Sequence, residues 1–126
     1  RGYFLAPTIF DDVSTGDPLA REEIFGPVMS MLTWSSPETA LEIANSLDVG
    51  LTASVWTTNL GVAHGFVKEL EAGYVWVNDH GPHHIGTPFG GYKSSGVGEE
   101  ESLSELTSFL QTKSVHIKWE QPGKAW

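Results

Sequence analysis

The sequence predicts an α/β fold, an open and mainly parallel sheet with flanking helices. Three observations predict it. Apolar runs at 28–34, 51–57 and 74–78 have the length and composition of buried strands. The segments between them, 37–47 and 60–70, carry apolar residues at helical spacing. The connections are short, and a strand–helix–strand–helix–strand order then implies right-handed crossovers between parallel strands.

Residues 3–13 alternate loosely and are interrupted by Pro7, which predicts a short edge strand. Asp11 to Pro18 reads as a polar turn, and Leu19 to Ile24 as a single helical turn. Gly26-Pro27 is a strong punctuator that sets the direction of Glu22, Glu23 and Phe25 just ahead of the strand at Val28. In the first long helix Ser36 is the N-cap, Pro37 suits the first position and Glu38 lies in the first turn. Ala40, Leu41, Ile43, Ala44 and Leu47 are its apolar face. Asn59 caps a second helix with Leu60, Ala63, Val67 and Leu70 inward, ended by Gly73. Tyr74 to Asn78 is the third strand. Beyond a long loop, Ser102 and Glu105 have capping-box spacing, and Leu103, Leu106, Phe109 and Leu110 predict a short helix. Lys113 to Trp119 alternates strictly, with Val115, Ile117 and Trp119 on one face, as expected of a strand at a sheet edge. Residues 1–119 read as one unit and 120–126 as a flexible tail.

The 126 residues suit one domain. A net charge of −9 argues against nucleic acid or an anionic membrane as partner. With no cysteine, disulfides, thiolate metal sites and a cysteine nucleophile on this chain are excluded. No apolar run approaches the ~20 residues of a membrane span, and the start does not resemble a signal peptide, so a cytoplasmic protein is expected. The chain opens Arg1-Gly2-Tyr3-Phe4-Leu5 without an initiator methionine, as expected of a piece cut from a longer chain.

Five of the thirteen residues in Gly86–Gly98 are glycine, framing Phe89 and Tyr92. Such a loop beyond the third strand is placed where open α/β sheets bind ligands. Gly86, Gly91 and Lys93-Ser94 nearly spell a phosphate-binding loop. Tyr92, however, puts the lysine one residue late, and Ser95 to Gly98 is a poor start for the helix that motif needs. His80, His83 and His84 offer imidazoles to a metal, but Asp79 is the one carboxylate beside them, so they read better as surface or pocket-lining side chains. Glu23 and Phe25, two apart in an extended segment, lie on one side. That pair suits a carboxylate for a ribose diol with an aromatic beside a flat ring, although spacing alone favours a helix-end glutamate with a core phenylalanine.

Taken together, these segments resemble the aldehyde dehydrogenase family, in the C-terminal portion of its catalytic domain. The resemblance rests on Gly2-Tyr3-Phe4 with Pro7-Thr8, Glu22 through Val28, Gly50-Leu51-Thr52-Ala53, Gly73 with Val75-Trp76-Val77-Asn78, Pro88 through Gly96, and Lys113-Ser114-Val115. It implies an NAD(P)-dependent enzyme that oxidises an aldehyde to a carboxylic acid. Glu23 then matches the glutamate that holds the nicotinamide ribose, and Phe25 the aromatic beside it. Phe89 matches a pocket aromatic near the aldehyde. His83 falls where many members carry another, and so bears on substrate choice. Asn78-Asp79-His80 is similar to members acting on amino or betaine aldehydes. The strand at 113–119 matches one that joins subunits, which implies a homo-oligomer.

The catalytic cysteine, the water-activating glutamate and the cofactor domain lie upstream in that family. No catalytic residue and no metal ligand is therefore expected here, and the chain alone should be inactive. Glu99 stands where a basic residue is usual, and Glu100-Glu101 adds charge. The competing reading is a non-catalytic α/β module that assembles through its last strand.

Overall fold

The structure is a computed structural model that describes residues 2–119. Strand β1 (Thr8–Phe10) leads through helix α1 (Pro18–Arg21) to β2 (Val28–Ser30). Helix α2 (Pro37–Asn45), β3 (Val49–Gly50), β4 (Thr52–Val55), helix α3 (Leu60–Glu69) and β5 (Tyr74–Val77) follow, then β6 (Tyr92–Lys93) and helix α4 (Leu103–Ser108).

Three helices start where a side-chain oxygen meets a free amide. Asp17 accepts from the Leu19 N–H, Ser36 from Thr39, and Asn59 from both Gly61 and Val62. Each such cap contributes about 1 kcal/mol. The capping box expected of α4 is not formed. Ser102 makes no cap bond, its hydroxyl meeting that of Ser104 at 2.5 Å. Glu105 reaches instead to the Glu101 N–H at 2.8 Å, one residue early.

The α/β class is as predicted, but one continuous sheet is not what these residues build. Among them β1 pairs with β2 and β4 with β5, both parallel, while β3 pairs with β6 antiparallel. The strand in the 28–34 run ends at Ser30, and Met31 donates to Phe10 and accepts from Val13, which extends its pairing along β1; among the described residues no ladder joins it to β4.

The segment at 48–51 is gripped from two sides. Ser94 donates to the Asp48 carbonyl, the Ser95 hydroxyl accepts from the Gly50 N–H, and Gly73 donates to the Gly50 carbonyl. The grip requires close backbone approach. A Cβ on Gly50 would overlap the Glu71 carbonyl oxygen, and one on Gly73 that of Gly90.

Asn45, the last residue of α2, links it to the end of α3. Its side chain donates to the Glu69 carbonyl and accepts from the Glu71 N–H. Trp76 and Ala63 are the buried apolar residues among those described. The accessible surface is 10686 Å², against about 6,600 Å² for a typical folded monomer of this mass.

The edge strand expected at 113–119 is not formed among the described residues, where residues 111–119 make no ladder. Val115, Ile117 and Trp119 are 68%, 78% and 80% exposed. Strict alternation marks a segment that suits a ladder, but a ladder needs a second strand. The tail proposed at 120–126 lies outside the described residues.

Candidate functional site

The β4–β5 ladder aims its C-terminal end at the loop that follows Val77. Asn78 stands just past the ladder with φ 56°, in the left-handed region. Its amide donates to the Thr57 carbonyl and accepts from the Thr57 N–H, at 2.9 and 2.8 Å. The side chain thus copies a strand's hydrogen bonds and adds a rung to the ladder while the main chain turns away. Few side chains other than asparagine combine that backbone with that pairing.

Alternation in β5 places Tyr74 and Trp76 on one face, ring centroids 4.8 Å apart. The loop folds back over this face. The indole N–H of Trp76 donates to the Pro82 carbonyl at 2.9 Å. His83 then stacks on Phe89 at 4.1 Å and 28°, and on Trp76 at 5.8 Å and 20°. Tyr74 lies 5.7 Å from Phe89. Such ring contacts contribute about 0.5–1.5 kcal/mol each beyond the area they bury. The far end of the loop is closed by Phe89 and Glu100, which exchange both backbone hydrogen bonds. His83 Nδ1 is 3.2 Å from Glu101 Oε1.

Glu23 and Phe25 sit elsewhere, on the segment between α1 and β2. Two tight turns shape it: Gly26 donates to the Ile24 carbonyl and Val28 to the Gly26 carbonyl. Phe25 lies at the apex of the first turn and is 93% exposed. Glu23 and Phe25 line an open cavity of about 650 Å³ with Gly50–Ala53, Leu70–Ala72 and Ser94–Ser95. Phe89 lines a second cavity, of about 470 Å³, with Gly90, Gly91 and Phe109. Leu51 and Ser95 border both. The structure therefore joins Glu23 with Phe25 and His83 with Phe89. Glu23 and Phe25 thus line a cavity next to that of Phe89, while His83 stacks on Phe89 without lining either one.

Lys93 is committed elsewhere. Its ammonium donates to the Asn45 and Leu47 carbonyls at 2.7 and 2.9 Å and pairs with Glu71 at 2.6 Å. A cation at the C-terminal end of α2 satisfies orphan carbonyls and opposes the helix dipole, for about 0.3–1 kcal/mol. This lysine is a structural clamp and not the lysine of a phosphate-binding loop. The histidines make separate contacts, although His80 and His83 both meet Trp76. His80 approaches the Ser54 hydroxyl at 3.4 Å, whereas His83 joins the aromatic stack. Among the described residues no three His, Cys, Asp or Glu side chains converge as metal ligands.

Comparison with known proteins accounts for this assembly. The sequence model of the aldehyde dehydrogenase family matches residues 1–115. The chain belongs to that family. A curated relative, the aldehyde dehydrogenase tropH of Talaromyces stipitatus, is 47% identical over 116 residues, covering 92% of this chain and 22% of its own. A betaine aldehyde dehydrogenase of Brucella anthropi is 41% identical over 118 residues, 94% of this chain and 24% of its own. Among solved structures, an indole-3-acetaldehyde dehydrogenase of P. syringae, in complex with NAD+ and IAA, superposes with TM-score 0.84 at 47% identity. That likeness covers 90% of this chain and 23% of the other. A lactaldehyde dehydrogenase superposes with TM-score 0.88 at 33% identity, over 94% and 25%. The present chain thus spans about a quarter of the length of the aldehyde dehydrogenases it matches, and its fold is that of part of their catalytic domain.

Two members of the aromatic cluster escaped the sequence reading. Tyr74 and Trp76 were visible only as strand residues, although their spacing of two already put them on one face. Glu101 carried no local signal at all, since its partner His83 is 18 positions away.

Proposed function

We propose that this chain is the C-terminal segment of an NAD(P)-dependent aldehyde dehydrogenase that oxidises an aldehyde to a carboxylic acid. The observation that carries the reading is the pair of neighbouring cavities, one bearing Glu23 and Phe25, the other Phe89, in a chain of this family. Bound NAD or NADP supplies the hydride acceptor. The exposed Glu23 carboxylate suits two ribose hydroxyls, each a charge-assisted bond of ~1.5–3 kcal/mol. The exposed Phe25 ring packs beside the nicotinamide and keeps water from that side. Phe89 and His83 form a wall of the aldehyde pocket and hold the substrate's apolar part against the stack with Tyr74 and Trp76.

The nucleophile comes from sequence outside this chain, because the chain has no cysteine. The excess exposed apolar surface supports the same view, since these faces suit burial against the rest of the enzyme. The exposed Val115, Ile117 and Trp119 favour the added role of subunit pairing through residues 113–119. No helix among the described residues is long and apolar enough to cross a membrane; the reading includes a cytoplasmic location, which cell fractionation checks.

The test uses both forms of the protein. The isolated 126 residues should form no NADH with any aldehyde. In the complete enzyme, Glu23→Ala should raise KM for the nicotinamide cofactor at least about tenfold, roughly the size of losing even one of its two charge-assisted bonds. An unchanged cofactor KM, or turnover by the isolated chain, would overturn the proposal.

A further inference from the structure

The acidic run Glu99-Glu100-Glu101 has a use beyond a solvated surface. Glu101 is half-buried, and its backbone is in the left-handed region, φ 62°. That conformation is unfavourable for glutamate and persists where the surroundings over-determine it. Here they do. The Glu101 N–H donates to the Glu105 carboxylate at 2.8 Å, and its carbonyl accepts from Gly86 at 2.7 Å. The backbone so held aims the side chain at His83, with Oε1 3.2 Å from Nδ1.

A carboxylate has no proton to give, so the imidazole must carry its hydrogen on Nδ1. Glu101 Oε2 is buried without a hydrogen-bond partner among the described residues. Such an orphan oxygen is costly, and the contact of Oε1 with the imidazole offsets that cost. The other titratable groups nearby include Tyr74, whose ring lies 5.5 Å from that of His83, Glu105, Glu100 on the backbone bridge to Phe89, and His80, whose ring meets Trp76 at 5.7 Å. Glu101 is the one whose carboxylate meets His83.

We propose that Glu101 is a positioning residue for the aldehyde pocket. It fixes the orientation and tautomer of His83, holds that ring flat on Phe89, and leaves Nε2 as the ring nitrogen available to a substrate. A wall made this way favours aldehydes that carry an aromatic group, which adds to the stack of His83 and Phe89. The substrate half of the inference rests on the function proposed above; the tautomer half does not.

The experiment takes the complete protein, with histidine labelled by 15N, as wild type, Glu101→Leu and Glu101→Gln. Nitrogen NMR should show His83 protonated on Nδ1 in the wild type and in the glutamine variant, whose amide oxygen still accepts. It should shift to the Nε2–H tautomer in the leucine variant. KM for phenylacetaldehyde should rise roughly fivefold in Glu101→Leu, about one hydrogen bond's worth, with kcat within twofold and recovery in Glu101→Gln. In a His83→Phe background, Glu101→Leu should change nothing further. An unchanged tautomer in Glu101→Leu, or the same KM increase without His83, overturns the proposal. A protein with no dehydrogenase activity would refute the proposed function and leave the NMR result to decide Glu101 alone.

Discussion

The middle of the chain and its two flanks are held together differently. From Val49 to Val77 the structure is knit by the β4–β5 ladder, by Asn45 and Lys93 bridging helix ends, and by backbones in contact at Gly50 and Gly73. Both buried apolar residues, Ala63 and Trp76, lie there. At the flanks, Phe4 is 97% exposed and Phe109 80%. Those residues are as apolar as the ones in the middle, but no facing surface among the described residues covers them. Apolar composition states what a segment needs to bury, and only a facing surface lets it do so.

Breaking the middle should therefore cost far more than altering a flank. Trp76→Ala is expected to cost the most, about 3 kcal/mol, because it removes the buried indole and its bond to Pro82; urea unfolding of the chain measures this. Asn78→Ala should follow at about 2 kcal/mol, losing both bonds to Thr57 and placing a Cβ residue without compensation at positive φ. Equal sensitivity of Trp76 and Phe109 would dissolve the contrast. Phe109→Ser should shift the isolated chain by less than about 0.5 kcal/mol. The same change in the complete protein should cost several-fold more if that face is covered there, which sharpens the comparison directly.

The smallest effect belongs to Glu38 at the start of α2. The hydrogen bond from its own backbone N–H, then that from Ser36, hold its carboxyl below the ordinary value of 4.5. A lowered folded value means a contribution that is complete above pH 4.5 and is lost as the pH falls through the folded value. Melting temperatures of wild type and Glu38→Gln should differ slightly near pH 6 and converge at lower pH. The side chain is fully exposed, so solvent screening keeps the difference small.

The sequence by itself determined the local pieces: the caps at Ser36 and Asn59, two helices between short strands, the glycine-rich loop after β5, and the residues that mark the family. Those follow from chemistry within a few residues, where a side-chain oxygen and an amide, or a glycine and a tight approach, meet by virtue of spacing. Which strands pair was left to the tertiary structure. So were the antiparallel meeting of β3 with β6, the unpaired state of 113–119, the use of Lys93 as a helix clamp and the contact of His83 with Glu101. Each depends on a partner set by the path of the whole chain, and no local spacing encodes where that partner will be.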